Sequence, residues 1–291
     1  MLKSKQIHPY YIEAHLEKQG KQRKYSQTLH TASRSPCYTV ERRNMIGICR
    51  RKAFFMIDTV LFDLDGTLLP MDQEKFVHTY MGLLTKKMVP YGYEPQHLMS
   101  AVWSGTDAMV KNDGTQTNEE VFWTEFCRVF GPDARKDEPL FAEFYASEFA
   151  HTRTVCGFAP EAAQILELLK EKDITVVLAT NPLFPDIATR QRIRWAGLEH
   201  GDFALVTTYE NSHYCKPNPD YYREILRKLG KSPANCLMVG NDVQEDLIPA
   251  RETGMEVFLL TDCLIDRQKT DLGGYSRGGF DELKEFLLKN L

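Results

Sequence analysis

The sequence contains no apolar run approaching the roughly 18 residues of a membrane-spanning helix, and no hydrophobic segment flanked like a secretory signal. It also lacks any C-x-x-C pair. Its seven cysteines, at 37, 49, 127, 156, 215, 236 and 263, are odd in number and scattered. That usage excludes a disulfide framework or structural zinc site as the organising device and fits reduced thiols in a cytoplasmic protein. Acidic residues are scarce over positions 1–55, with 3 Asp/Glu against 12 Lys/Arg, so the remainder holds 37 acidic against 24 basic residues. The acidic body argues against a nucleic-acid groove as the main function. The basic leader has no sustained helical or strand period. It reads as a disordered extension over 1–55, with a transit-like or nucleic-acid-binding tail as the other reading. Met56, directly before the first strand, is a second candidate start.

The body supplies a clear alternation. Apolar, β-branched runs at 57–63, 173–181, 203–208, 235–242 and 255–260 predict strands. Helical patterns at 160–171, 185–196, 219–229 and 245–253 fall between the later strands, with Gly197, Gly230 and Gly254 at C-cap positions. This order predicts an α/β fold: a Rossmann-like parallel sheet with helices on both faces. Ligands in such sheets bind beyond the carboxyl ends of the strands. Between the first and second strands lies a Phe-, Tyr-, Trp- and Met-rich stretch, too long for one crossover, that reads as helices at 72–88, 95–111, 117–130 and 137–151. It predicts an inserted α-helical cap over 72–151, with the core formed by 56–71 and 152–291.

Four strings of unusual chemistry stand at successive strand exits. In VLFDLDGTLL, Asp63 and Asp65 lie two residues apart, so both carboxylates can face one pocket, and Gly66 permits a sharp turn beside a ligand. Such a pair suits nucleophilic attack by one carboxylate and proton transfer by its neighbour. LATNP places Thr180 and Asn181 at the second exit, where a hydroxyl and a backbone N–H can hold a developing oxyanion. In YCKPNPDYY, Lys216 precedes Pro217, and Asn218-Pro219 reads as N-cap and first helical residue, so the lysine stands beside an anion-favouring helix start. VGNDVQED supplies Asp242 and Asp246, with Glu245 between.

These strings resemble the four motifs of the haloacid dehalogenase-like hydrolase superfamily, whose first motif is D-x-D-G-T. The likeness covers 56–71 and 156–262; the cap matches only in size, position and helical character. It implies that Asp63 is the nucleophile that becomes an aspartyl-phosphate and Asp65 the general acid/base. It also implies catalytic and phosphate-binding roles for Thr180, Asn181 and Lys216, and a metal set of Asp63, Asp65, Asp242 and Asp246. Within that set Asp65 contributes its carbonyl, and Asp246 orients a ligand or a metal-bound water. Asn241 departs from the Gly-Asp pair common at the fourth motif, while the Asp-to-Asp spacing is kept.

Charge independently requires a cation. Each like-charge pair near 4 Å costs on the order of 4 kcal/mol at an effective dielectric of about 20, and Lys216 offsets only part of that in the presence of a phosphate. All-oxygen ligation selects a hard ion, Mg²⁺. The expected activity is therefore Mg²⁺-dependent hydrolysis of a small phosphorylated metabolite by a monomer or homodimer, with neither nucleic acid nor membrane as partner. A phosphomutase shares all four motifs, and a catalytically silent module would lack the nucleophile or the lysine. Metal-independent dehalogenases lack the acid/base that Asp65 supplies. Within the cap, NDGTQTNEE (112–120) is either a specificity loop or a helix start with Thr117 and Glu120 as a capping box. Phe122, Trp123 and Phe126 read as cap core, His78 as a packed residue, and 271–288 as a loop and closing helix.

Overall fold

Strand β1 (Thr59–Phe62) reads Thr-Val-Leu-Phe and is buried throughout, as a strand covered on both faces requires. In the computed structural model, which describes residues 57–291, it sits at the centre of a six-stranded sheet. The leader expected over 1–55, and Met56, lie outside the described residues. The other strands are β2 (Thr175–Leu178), β3 (Leu205–Val206), β4 (Cys236–Gly240), β5 (Glu256–Leu260) and β6 (Ser276–Gly278), in the order β3-β2-β1-β4-β5-β6. Every neighbouring pair is parallel. Phe62 lies opposite both Leu178 and Val239, so β1, β2 and β4 end level with one another.

Four helices form the insert that follows β1: α1 (Gln73–Met88), α2 (Pro95–Val110), α3 (Asn118–Phe130) and α4 (Glu138–Ala146). Then come α5 (Pro160–Glu171), α6 (Asp186–Trp195), α7 (Pro219–Leu229), α8 (Ile248–Glu252) and α9 (Phe280–Asn290). Alternate residues of β1 serve opposite faces. Val60 and Phe62 join an apolar cluster with Ile165 and Leu169 of α5 and Leu283 and Leu287 of α9. Leu61 joins another, with Tyr221, Tyr222 and Ile225 of α7 and Ala250 of α8. The first cluster continues into the insert through Phe76, Tyr80, Phe144 and Phe149. None of the described helices is long and apolar enough to cross a membrane.

Several elements differ from expectation. The fourth insert helix stops at Ala146 rather than 151, and 3₁₀ turns carry the chain to Val155. The helix expected over 245–253 is α8 preceded by a π-helical turn, Val243–Leu247. β6 was not expected, because Ser-Arg-Gly offers no apolar alternation; it hydrogen-bonds beside β5 at the sheet edge. His78 is exposed on α1, on the side away from its apolar stripe. Phe122, Trp123 and Phe126 are buried in the insert, as their spacing predicts.

Candidate active site

The loop after β1 converts apolar sequence into a held carboxylate. Asp63 N–H donates to the Val239 carbonyl at 2.9 Å, continuing the sheet by one residue. The chain then folds on itself, with Leu69 N–H donating to Leu64 at 2.8 Å, and Leu64, Leu68 and Leu69 anchor the loop in the interior. Gly66 takes φ +91°, and a Cβ there would stand 2.4 Å from Asn241 Nδ2, so the position admits only glycine. Thr67 Oγ1 donates to Asn241 Oδ1 at 3.0 Å and contacts Asp63 Oδ2 at 3.2 Å.

Lys216 reaches the same point from the loop before α7. Its backbone N–H donates to Asn181 Oδ1 at 3.2 Å, and its buried ammonium bridges Asp63 Oδ1 at 2.8 Å and Asp246 Oδ1 at 2.6 Å. Asp246 uses its other oxygen to accept from the Asp242 N–H at 3.0 Å. That back-reach shapes the π-helical turn and needs Gly240, where a Cβ would fall 2.2 Å from Asp246 Oδ2. Asp242 caps the turn, its Oδ1 accepting from the N–H groups of Gln244 and Glu245. Its Oδ2 accepts from Arg267 Nη1 at 2.5 Å.

Thr180 is buried two residues beyond β2, its carbonyl accepting from Thr207 Oγ1 at 2.6 Å and Tyr221 O–H at 2.9 Å. Among the described residues its hydroxyl makes no hydrogen bond to Asp63 or Lys216. Asn181 Nδ2 donates to Glu245 Oε2 at 3.1 Å. Asp65 Oδ2 is paired with Arg192 Nη1, while Asp65 Oδ1 is buried without a partner among the described residues.

Electrostatically, the crevice gathers Asp63, Asp65, Asp242, Glu245 and Asp246 around Lys216, Arg192 and Arg267. Burial pushes Asp65 above the usual carboxylate range, and the Arg192 charge recovers only part of the shift. Glu245 is pushed up to about 7, first by burial and then by Asp242. Burial alone would lower Lys216, but Asp246 and Asp63 hold it well above its ordinary value. Burial also drives Asp246 upward, while the Lys216 ammonium 2.6 Å away pulls it back.

The surplus of carboxylates suits a divalent cation. Among the described residues no three His, Cys, Asp or Glu side chains form a ready-made metal cluster. A hard ion held by one or two carboxylates, a carbonyl, water and substrate oxygens does not require one, so Asp63, Asp242 and the Asp65 carbonyl fit such an ion.

Sequence reasoning missed four participants. Thr67 stands inside the quoted first string without an assigned role. Glu245 was noted but given no partner. Arg267 lies in an irregular loop with no periodic signal. Arg192 is one of three arginines on α6, and only its place in the buried stripe with Ala188, Thr189 and Ile193 distinguishes it. The 112–120 segment is a joint between elements. Thr117 caps α3, accepting from Glu120 N–H at 3.3 Å, and buried Asn118 donates to the Pro182 carbonyl at 3.3 Å and to Cys215 Sγ at 3.2 Å. A cavity of about 110 Å³ lies between the insert and the Leu183–Pro185 loop, lined by Tyr80, Trp103, Phe122, Tyr145, Phe184 and Tyr209 among others. None of the seven expected site residues lines it.

The fold and the family have independent support. The ribulose-1,5-bisphosphate 5-phosphatase of Halopiger xanaduensis is 24% identical over 208 residues, 70% of this chain and 84% of the relative. The glyceraldehyde 3-phosphate phosphatase of Methanopyrus kandleri is 25% identical over 203 residues, 69% and 82%. The crystal structure of 2-haloacid dehalogenase from Pseudomonas syringae pv. Tomato DC3000 aligns with a TM-score of 0.55 and 22% identity over 80% of this chain and 99% of that one, a likeness of fold. A family model described as haloacid dehalogenase-like hydrolase matches residues 57–254, from β1 to the turn after α8. With the sheet order and the strand-end carboxylates described above, that match makes the chain a member of the haloacid dehalogenase-like hydrolases.

Proposed function

We propose that this hydrolase is a Mg²⁺-dependent phosphatase that cleaves a small phosphomonoester through an aspartyl-phosphate on Asp63. The observation that carries the reading is the buried Lys216 ammonium, 2.8 Å from Asp63 and 2.6 Å from Asp246. A carboxylate nucleophile works best with one oxygen held and the other available. Lys216 holds Oδ1, whereas Oδ2 has only the longer contact from Thr67 at 3.2 Å.

In this mechanism Asp63 Oδ2 bonds to phosphorus, the ester P–O bond breaks, and Asp65 gives its proton to the departing alcohol oxygen. Asp65 then takes a proton from water as the water oxygen bonds to phosphorus. The acyl-phosphate P–O bond breaks, inorganic phosphate leaves and Asp63 is restored. Thr180, the Asn181 backbone N–H and Lys216 hold the phosphoryl oxygens while charge builds on them. Asp63, Asp242 and the Asp65 carbonyl would hold the ion, which supplies neutralisation between two anions that must meet. Asp246, whose Oδ1 meets the Lys216 ammonium and whose Oδ2 meets the Asp242 N–H, orients both residues. Residues 72–151 act as a cap that excludes water and selects the alcohol part of the substrate.

Phosphate release screened over sugar phosphates, nucleotides and phosphoglycolate should require Mg²⁺ and stop with EDTA. Asp63→Asn should lower kcat by about 10⁴-fold or more with an unchanged circular-dichroism spectrum. Full activity in that variant, or turnover indifferent to EDTA, overturns the reading.

A further inference from the structure

We propose that Arg192 is a positioning residue that tethers Asp65 through Oδ2 and leaves Oδ1 to carry the proton. The inference rests on the acid/base role of Asp65 given above.

α6 carries Arg190, Arg192 and Arg194, and only Arg192 is buried. Placing a guanidinium inside a protein is costly unless its charge and its N–H groups are met. Its guanidinium carbon lies over the Phe184 ring, 4.5 Å from the centroid, and Thr189 Oγ1 accepts from Nη2 at 3.1 Å. Among the described residues, the one carboxylate it pairs with is Asp65, 127 positions away in the chain. α6 is itself anchored, since Glu210 accepts from the Asp186 N–H at 2.8 Å and Gln191 donates to the Tyr145 carbonyl of the insert.

Arginine commonly grips a carboxylate as a two-pronged fork. Here the contact has one point: Nη1 meets Oδ2, the second prong Nη2 is turned to Thr189, and among the described residues Asp65 Oδ1 is buried without a partner. A bare buried carboxylate oxygen is expensive to maintain. It is accounted for if its partner arrives with the reaction: the leaving alcohol oxygen first, then the attacking water. A one-point contact at Oδ2 keeps the carboxylate in place and lets Oδ1 pivot toward each in turn.

The test exploits the leaving group. p-Nitrophenolate departs without a proton, whereas an alkoxide needs one, so a defect in Asp65 placement separates the two substrates. In Arg192→Met, kcat for an alkyl phosphate should fall about tenfold to a hundredfold. The burst of p-nitrophenolate at first turnover should stay within about threefold, and steady-state turnover, which needs water activation, should fall. Arg192→Lys keeps the charge but loses the guanidinium that lies over Phe184, and should give the same split at smaller size. In an Asp65→Asn background, Arg192→Met should add no further loss, because the two act as one unit. Should the methionine variant not fold, the lysine variant carries the comparison.

An equal loss on both substrates, or a full additional loss on top of Asp65→Asn, would overturn the role assigned to Arg192. If Asp65→Asn shows the split and the arginine variants do not, Arg192 is misassigned and the phosphatase reading stands. If Asp65→Asn itself shows no split, the acid/base assignment falls and this inference falls with it.

Discussion

The strand-end crevice and the helical insert both bury bulky side chains, and they do so with opposite materials. In the crevice, Lys216, Asp63, Asp242 and Asp246 are buried by meeting one another's charge and hydrogen bonds. In the insert, Trp123, Phe126 and Phe141 meet edge to face, with centroids 5.3–5.5 Å apart. Removing one member of an ionic set strands its partners in a medium that cannot solvate them, whereas removing one ring leaves a hole that its neighbours partly refill. The crevice is therefore intolerant in kind, and the insert in degree.

That contrast can be broken at four points. Lys216→Met should have the largest effect, abolishing turnover and lowering unfolding free energy by about 3–5 kcal/mol, because Asp63 and Asp246 lose their shared cation. Denaturant titration alongside the phosphate assay separates the two losses; a stable, active variant would dissolve the distinction between the regions. Phe126→Ala should cost a similar 3–5 kcal/mol, while kcat of the folded fraction changes little. Asn118→Ala tests the joint between the regions. Loss of its bonds to Pro182 and Cys215 should lower stability by about 1–3 kcal/mol and raise KM more than it lowers kcat, as the loop carrying Asn181 loosens.

The smallest effect belongs to Glu125 in the insert, whose carboxyl is held down to about 2, chiefly by Arg128 and also by Ser104. A depressed acid contributes stability above its unfolded pKa and loses it as pH falls toward the folded value. Glu125→Gln should therefore flatten the acid limb of a melting-temperature profile between about pH 4.5 and 2, and leave neutral pH nearly unchanged.

Legibility in the sequence follows the same division. Strand exits carrying Asp63, Thr180, Lys216 and Asp242 are readable because chemistry restricts both residue type and spacing. α7 is readable at both ends, since Asn218 and Pro219 open it and Gly230 closes it at φ +63°. The π-helical turn after β4 was not readable, because a side-chain contact, Asp246 reaching four residues back to the Asp242 N–H, overrides the ordinary helical register. Nor was Arg192, since periodicity alone shows a helix without showing what lies opposite each face. The last helix of the insert stops short at Ala146, an end not readable because aromatic richness continues through Phe149 while the backbone tightens into 3₁₀ turns.

Gly240 gives the crevice its width. Where any larger residue would stand, the Asp246 carboxylate already lies, and through it run Lys216 and then Asp63. A single added methyl would travel down that row like a shove through a queue, dislodging the Asp63 carboxylate it never touches. A tight tolerance at the heart of the crevice thus belongs to the smallest of side chains, a residue with no chemistry of its own.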